Sequence, residues 1–144
     1  MAAELNSGCP NRPEGSLRVK LSEIARILDA EVLCGTEGLD HEVSAVFAGD
    51  LMSDVLAFAA PRALLMTGLT NAQAVRTAEV IDAPAIVFVR GKRPGDKTLE
   101  LAAEKGLTCL ATRRLMYESC GLLYSAGLPG CRSEANCPEV DTHG

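Results

Sequence analysis

Ala63-Leu64-Leu65-Met66-Thr67-Gly68-Leu69-Thr70-Asn71-Ala72-Gln73-Ala74-Val75-Arg76, followed by Pro84-Ala85-Ile86-Val87-Phe88-Val89-Arg90, is the stretch on which the fold turns. Residues 63–67 form a compact apolar run ending at Gly68. The run is too short for a helix and lacks polar alternation, so it reads as a strand buried on both faces. Thr70 or Asn71 offers an N-cap for a helix to about residue 81, and Gln73 completes a capping box with Thr70. Pro84 restarts the chain, and residues 85–89 give the clearest buried strand. Strand, helix and strand in this order predict a βαβ crossover and a parallel sheet.

The pattern continues outward in both directions. After the loop at 90–95, Asp96 caps a helix to about 105 that Gly106 stops. Residues 107–111 make the last strand, and Thr112 caps a final helix to about 126 with Gly127 just past its end. Toward the N-terminus, 43–48 reads as a strand, and Asp50 caps a helix through 59. Earlier still come a short strand at 17–20, a helix capped by Ser22 with Ile24, Ala25, Ile27 and Leu28 on one face, and a strand at 31–34. Gly35 and Gly38 mark a turn. The fold class is α/β with a mostly parallel sheet. Clusters of Pro and Gly divide the chain into a flexible segment at 1–15, a folded domain at 16–128 and a flexible Cys-containing tail at 129–144.

The 144 residues are 47% hydrophobic, enough for one core, yet only 3% aromatic with no Trp. A chain this poor in aromatics lacks the stacking platforms of single-strand nucleic-acid binders. The net charge of −5 removes the positive field that nucleic acid and acidic membranes require. No apolar run is long enough to span a bilayer, and the first fifteen residues lack a signal-peptide core. A cytoplasmic location is expected, with no nucleic-acid or membrane partner.

Six cysteines, Cys9, Cys34, Cys109, Cys120, Cys131 and Cys137, contain no C-x-x-C pair. Zinc-ribbon and thioredoxin readings lose their support, and the thiols read as reduced. A metal or redox clip between Cys131 and Cys137 is the alternative. His41 and His143 lack partners at nucleophile spacing, so no triad is expected. Cys120 reads as a small core residue rather than a nucleophile. Asp50 and Asp54 read as a cap and a solvated face. No metal site, cofactor or catalytic residue is expected.

Ligands of open α/β sheets bind beyond the carboxyl ends of the strands. That rule selects the loops at 49–53, 68–73, 90–93 and 112–114. Gly91-Lys92-Arg93-Pro94-Gly95-Asp96-Lys97-Thr98 approaches a phosphate-binding loop. Asp96 stands where its second glycine belongs, and a carboxylate there would repel phosphate. Arg90, Lys92 and Arg93 follow one strand, and Arg113 and Arg114 the next. They read either as an anion site aided by helix N-termini or as a solvated loop with counter-ions. The candidate ligand-binding residues are Gly68, Thr70, Asn71, Gln73, Arg90, Lys92, Arg93, Thr112 and Arg113.

The runs 64–79, 85–94, 21–28 and 120–127 together resemble the DRTGG domain over roughly residues 19–128. The likeness is closest to stand-alone DRTGG proteins of anaerobic bacteria, some of them associated with iron-only hydrogenase genes. It is similar in turn to the N-terminal domain of HPr kinase/phosphorylase, which implies a three-layer α/β/α fold. That enzyme's kinase activity belongs to its P-loop domain and is not carried over. DRTGG domains appended to phosphotransacetylases and CBS-containing pyrophosphatases look like regulatory or dimerising modules. Many relatives carry Asp-Arg after the glycine that ends the central strand. Here Leu69-Thr70-Asn71 follows Gly68, so no role of that pair is transferred.

The function expected is a non-catalytic regulatory module, a homodimer, holding a small anionic ligand such as a nucleotide at the strand-end loops. The alternative is a protein-interaction or dimerisation adaptor without a small ligand, tied to a protein partner in hydrogenase or redox metabolism. Its apolar surface would come from the helices near 51–60 or 115–124.

Overall fold

The computed structural model describes residues 18–131. The expectations for the segment at 1–15 and for Cys9, Cys137 and His143 lie outside the described residues. The elements run β1 Val19–Lys20, α1 Leu21–Leu28, β2 Glu31–Cys34, β3 Glu42–Val43, β4 Val46–Ala48, α2 Met52–Phe58, β5 Leu64–Thr67, α3 Ala72–Val80, β6 Ala85–Phe88, α4 Asp96–Glu104, β7 Thr108–Ala111 and α5 Met116–Ser125.

The main sheet has the order β2-β7-β6-β5-β4. β4, β5, β6 and β7 are mutually parallel, and β2 joins β7 antiparallel. The sheet is thus mixed, as a mostly parallel sheet with one reversed edge strand. β5, β6 and β7 are buried at every position, which is why they lack alternation in sequence. Side chains still alternate between two cores. Leu64, Met66, Ala85, Val87, Val89 and Leu110 face α1 and α5. Leu65, Ile86, Phe88 and Cys109 face α2, α3 and α4. The strand order advances in one direction from β4 to β7, so right-handed crossovers put α2, α3 and α4 on one face. α1 and α5 cover the other, giving three layers.

Several local expectations change, each through a distant partner. The strand expected at 43–48 divides. Val43 pairs with Val19 in a small antiparallel ribbon, while Val46–Ala48 becomes the edge of the main sheet. α1 starts at Leu21 without a side-chain cap. Its first amides are satisfied instead by backbone: Leu21 N–H donates to the His41 carbonyl and Ser22 N–H to that of Leu39, both at 3.0 Å. α4 begins with Asp96 already inside its first turn, after Gly95, so Asp96 complements the helix dipole rather than capping. α5 starts at Met116, four residues beyond Thr112. Gly127 does follow α5 in a left-handed conformation.

The chain stays on the sheet past Leu128. Gly130 bridges Val46 in parallel, and Cys131 N–H donates to the Val46 carbonyl at 3.0 Å. In α5, the Ser119 hydroxyl is buried with no hydrogen-bond partner. Ser119→Ala is expected to stabilise the fold by about 0.5–1 kcal/mol, since it removes an unsatisfied group and gains helix propensity. Urea denaturation checks this.

Candidate functional site

The carboxyl ends of β4 to β7 gather at one end of the sheet. β2, running the other way, brings Glu31 to the same end, opposite Ala111. β6 leads through its loop to α4 on one face, whereas β7 leads to α5 on the other. Adjacent parallel strands whose connections leave on opposite faces define a topological switch point, where α/β sheets open a crevice. Here the switch falls between Arg90–Pro94 and Thr112–Leu115, two loops that lie against each other.

Backbone hydrogen bonds join the two loops. Arg90 N–H donates to the Arg114 carbonyl at 2.9 Å, and Gly91 N–H to that of Thr112 at 3.0 Å. Arg90 takes a left-handed φ of 66°, a conformation that costs a non-glycine residue about 1–2 kcal/mol. Its guanidinium lies over Gly68, where any Cβ would collide with it. A Cβ at Gly68 would make the end of this flexible side chain shift.

The expected site residues divide into two groups. Arg90, Lys92 and Arg113 are exposed and have no ion pair among the described residues; the Arg90 guanidinium lies on the β5 side, over Gly68. Arg93 is held by Glu31 through two contacts at 2.7 and 3.4 Å. The buried Thr112 hydroxyl donates to the Leu28 carbonyl at 2.7 Å and accepts from Arg114 N–H. Arg114 itself donates to Leu28 and pairs with Glu118 at 2.6 Å. These last three tie the loops to α1, β2 and α5.

At the end of β5, Asn71 caps α3 by accepting from Ala74 N–H. The capping box expected from Thr70 and Gln73 does not form, because Asn71 occupies the cap position. Gln73 is exposed and Thr70 half-buried. Asp50 stands at this end in the loop at 49–53, although in sequence it reads as a helix cap. Its carboxylate does not cap α2 but accepts from Gly68 N–H at 2.7 Å and from the Thr67 hydroxyl at 3.1 Å. An internal anion already fills the amide that a ligand oxygen would otherwise use. A ligand must therefore rely on the cations of the β6 and β7 loops. The strand order that makes Asp50 and Gly68 neighbours has no local signature.

Glu31 shows what one cation does to an anion at this end. The Arg93 hydrogen bond, and then its charge, hold the Glu31 carboxyl below the usual carboxylate range. A carboxyl with a depressed folded pKa adds stability above its unfolded value and loses it as pH falls through the folded value. In Arg93→Ala the Glu31 titration midpoint, followed by NMR, is expected to rise to the ordinary range. An unchanged midpoint would refute the pairing.

Two concavities lie elsewhere. A cleft of about 800 Å³ opens at the amino ends of β5 to β7, lined by Arg18, Arg62 and Lys105 but also by Asp40, Glu42, Glu79 and Asp82. Arg18 and Lys105 are paired to Glu42 and Glu79. Four carboxylates make this larger cleft a poor anion site, so its size does not decide the matter. A second groove of about 480 Å³, mostly apolar, lies between β4 and α5 beside Tyr117 and Tyr124. Among the described residues no group of three metal-ligating side chains converges. No described helix is long and apolar enough to cross a membrane. Cys131 is half-buried, and its sulfur accepts from Ala60 N–H at 3.3 Å. Burial pushes its thiol up.

A family model described as "DRTGG domain" matches residues 23–125. Among solved structures, the fold is similar to the CBS and DRTGG domains of the regulatory region of Clostridium perfringens pyrophosphatase, complexed with the activator diadenosine tetraphosphate. The TM-score is 0.62 at 18% identity, over 81% of this chain and 51% of that one. The chain thus spans about half the length of that structure. No curated protein matches the chain.

Proposed function

The chain belongs to the DRTGG domain family, and on that premise we propose that it is a non-catalytic regulatory module that holds a small phosphate-bearing anion at the β6–β7 crevice. The observation that carries the reading is the switch point itself. The sheet's connections part between β6 and β7, and Arg90, Lys92 and Arg113 stand there. Arg90 N–H is bonded to the Arg114 carbonyl of the neighbouring loop, and Arg90 takes a positive φ of 66°. Gly68, beneath the Arg90 guanidinium, and Asn71 and Gln73 at the start of α3 would complete the site from the β5 side.

Nucleotides are the first class to test. The similar pyrophosphatase regulatory region was crystallised with a nucleotide activator, and a polyphosphate matches a row of cations. The decisive experiment is thermal unfolding with millimolar ATP, ADP, diadenosine tetraphosphate and inorganic phosphate. A ligand at a hundredfold excess over its Kd is expected to raise Tm by about 5 °C or more. A flat Tm across the panel rejects the reading.

A second reading has its own observation. Leu51, Leu56 and Phe58 on the α2 side, and Tyr117 and Tyr124 on α5, are 44% to 90% exposed. They flank edge strand β4 from both faces. A dimer closing over this edge would cover them and the groove beside Tyr117. Sedimentation giving the mass of one chain at micromolar concentration would exclude it.

A further inference from the structure

We infer that Cys34 and Cys109 form a dithiol modification site that closes to a cross-strand disulfide between β2 and β7. The register of β2 on β7 shifts once. Glu31 pairs with Ala111 and Val32 with Leu110, but Cys34, not Leu33, pairs with Cys109. One extra residue is therefore inserted in β2 opposite Cys109. In an unbroken strand, Cys34 would share the face of Val32, towards α1 and α5. The bulge turns it over. Leu33 and Cys34 both pack in the core beneath α2, α3 and α4, where Cys109 also lies. A bulge re-aims side chains in this way, and here it brings two thiols to one face.

Directly paired antiparallel residues have Cα atoms about 4.5–5.5 Å apart. Disulfides span about 4.4–6.8 Å, a range that includes paired cysteines of this kind. Both cysteines are free thiols. Cys34 is half-buried on the edge strand and its sulfur lies 3.7 Å from the Leu107 carbonyl. Cys109 is fully buried. Burial first, then the neighbouring Cys34, pushes the Cys109 thiol up.

These placements assign an order of events. The Cys34 sulfur, as thiolate, attacks a small disulfide oxidant from the solvent side. The oxidant's S–S bond breaks, one thiol leaves, and Cys34 carries the other half as a mixed disulfide. The Cys109 sulfur then gives up its proton and attacks the Cys34 sulfur, expelling the second thiol. The protein loses two electrons and two protons, and the oxidant is reduced to two thiols. The edge strand is then joined covalently to the sheet.

The test uses the full chain. Reduced protein is incubated with oxidised glutathione, residual thiols are alkylated, and tryptic peptides are weighed. The expected product is one linked pair of peptides containing Cys34 and Cys109, two hydrogens lighter than their sum. Its Tm is expected to be about 10 °C higher and to return with dithiothreitol. In Cys109→Ala, Cys34 is expected to retain a glutathione adduct. In Cys34→Ser, a milder change at a half-buried position, Cys109 is expected to stay unmodified. The inference is overturned if the wild type finishes with separate adducts on the two cysteines. It is equally overturned if Cys34 or Cys109 links to another cysteine, or if both remain alkylatable.

Discussion

Phe88→Ala is expected to lower the unfolding free energy by about 3–5 kcal/mol, the range for emptying a buried aromatic site. Phe88 is fully buried in β6, between Thr67 of β5 and Ala111 of β7. It packs in the core under α2, α3 and α4. The chain has three Phe and no Trp, so small aliphatic neighbours would have to collapse into the space. A domain with about 5–15 kcal/mol of stability would lose a large share. The Phe88 carbonyl also accepts Thr112 N–H at 2.9 Å, which links this core position to the crevice loops. Urea unfolding with an unchanged m-value checks the prediction. A loss under about 1 kcal/mol would mean that Phe88 is not the centre of this core.

Replacing Arg90, Lys92 and Arg113 together by Ala is expected to weaken binding of a phosphate-bearing ligand by about 100-fold or more. Each hydrogen bond from a charged donor contributes about 1.5–3 kcal/mol, and the three are not additive. Stability without ligand is expected to change by less than about 1 kcal/mol, because exposed charges contribute little. Four single variants sharpen the result. Arg93→Ala is expected to leave affinity nearly intact, since Glu31 already holds that guanidinium. Gly68→Ala is expected to weaken binding by pushing the Arg90 guanidinium aside with little loss of stability. Arg90→Gly is expected to be more stable than Arg90→Ala by about 1 kcal/mol, because glycine accepts a positive φ, while both lose affinity. Calorimetric titration against the ligand found by melting reads all of these. Equal affinities for the wild type and the triple variant would remove the crevice from the account.

The sequence made the three inner strands and the crossovers legible because full burial leaves runs such as Ala85-Ile86-Val87-Phe88 that only a two-sided core explains. It also named the cationic loops. What stayed hidden depends on partners far away in the chain. Asp50 looks like a helix cap until β5 lies beside β4 and offers Gly68 N–H. Thr112 looks like a cap until α1 presents the Leu28 carbonyl. Arg93 looks like a free cation until β2 runs antiparallel and delivers Glu31. The split of residues 43–48 follows from pairing with Val19, and the turning of Cys34 follows from one inserted residue in β2. Spacing alone encodes none of these. The switch point was equally out of reach, because it depends on which face each helix covers.

The most direct test of the central claim is a two-dimensional amide NMR titration of the ¹⁵N-labelled full chain with ATP. The account predicts that the amides of Arg90, Gly91, Lys92, Arg93, Arg113 and Arg114 shift together and saturate with one Kd, while His41, Arg62 and Gly106 at the opposite end stay still. Shifts confined to the opposite cleft, or none at millimolar nucleotide, would contradict it.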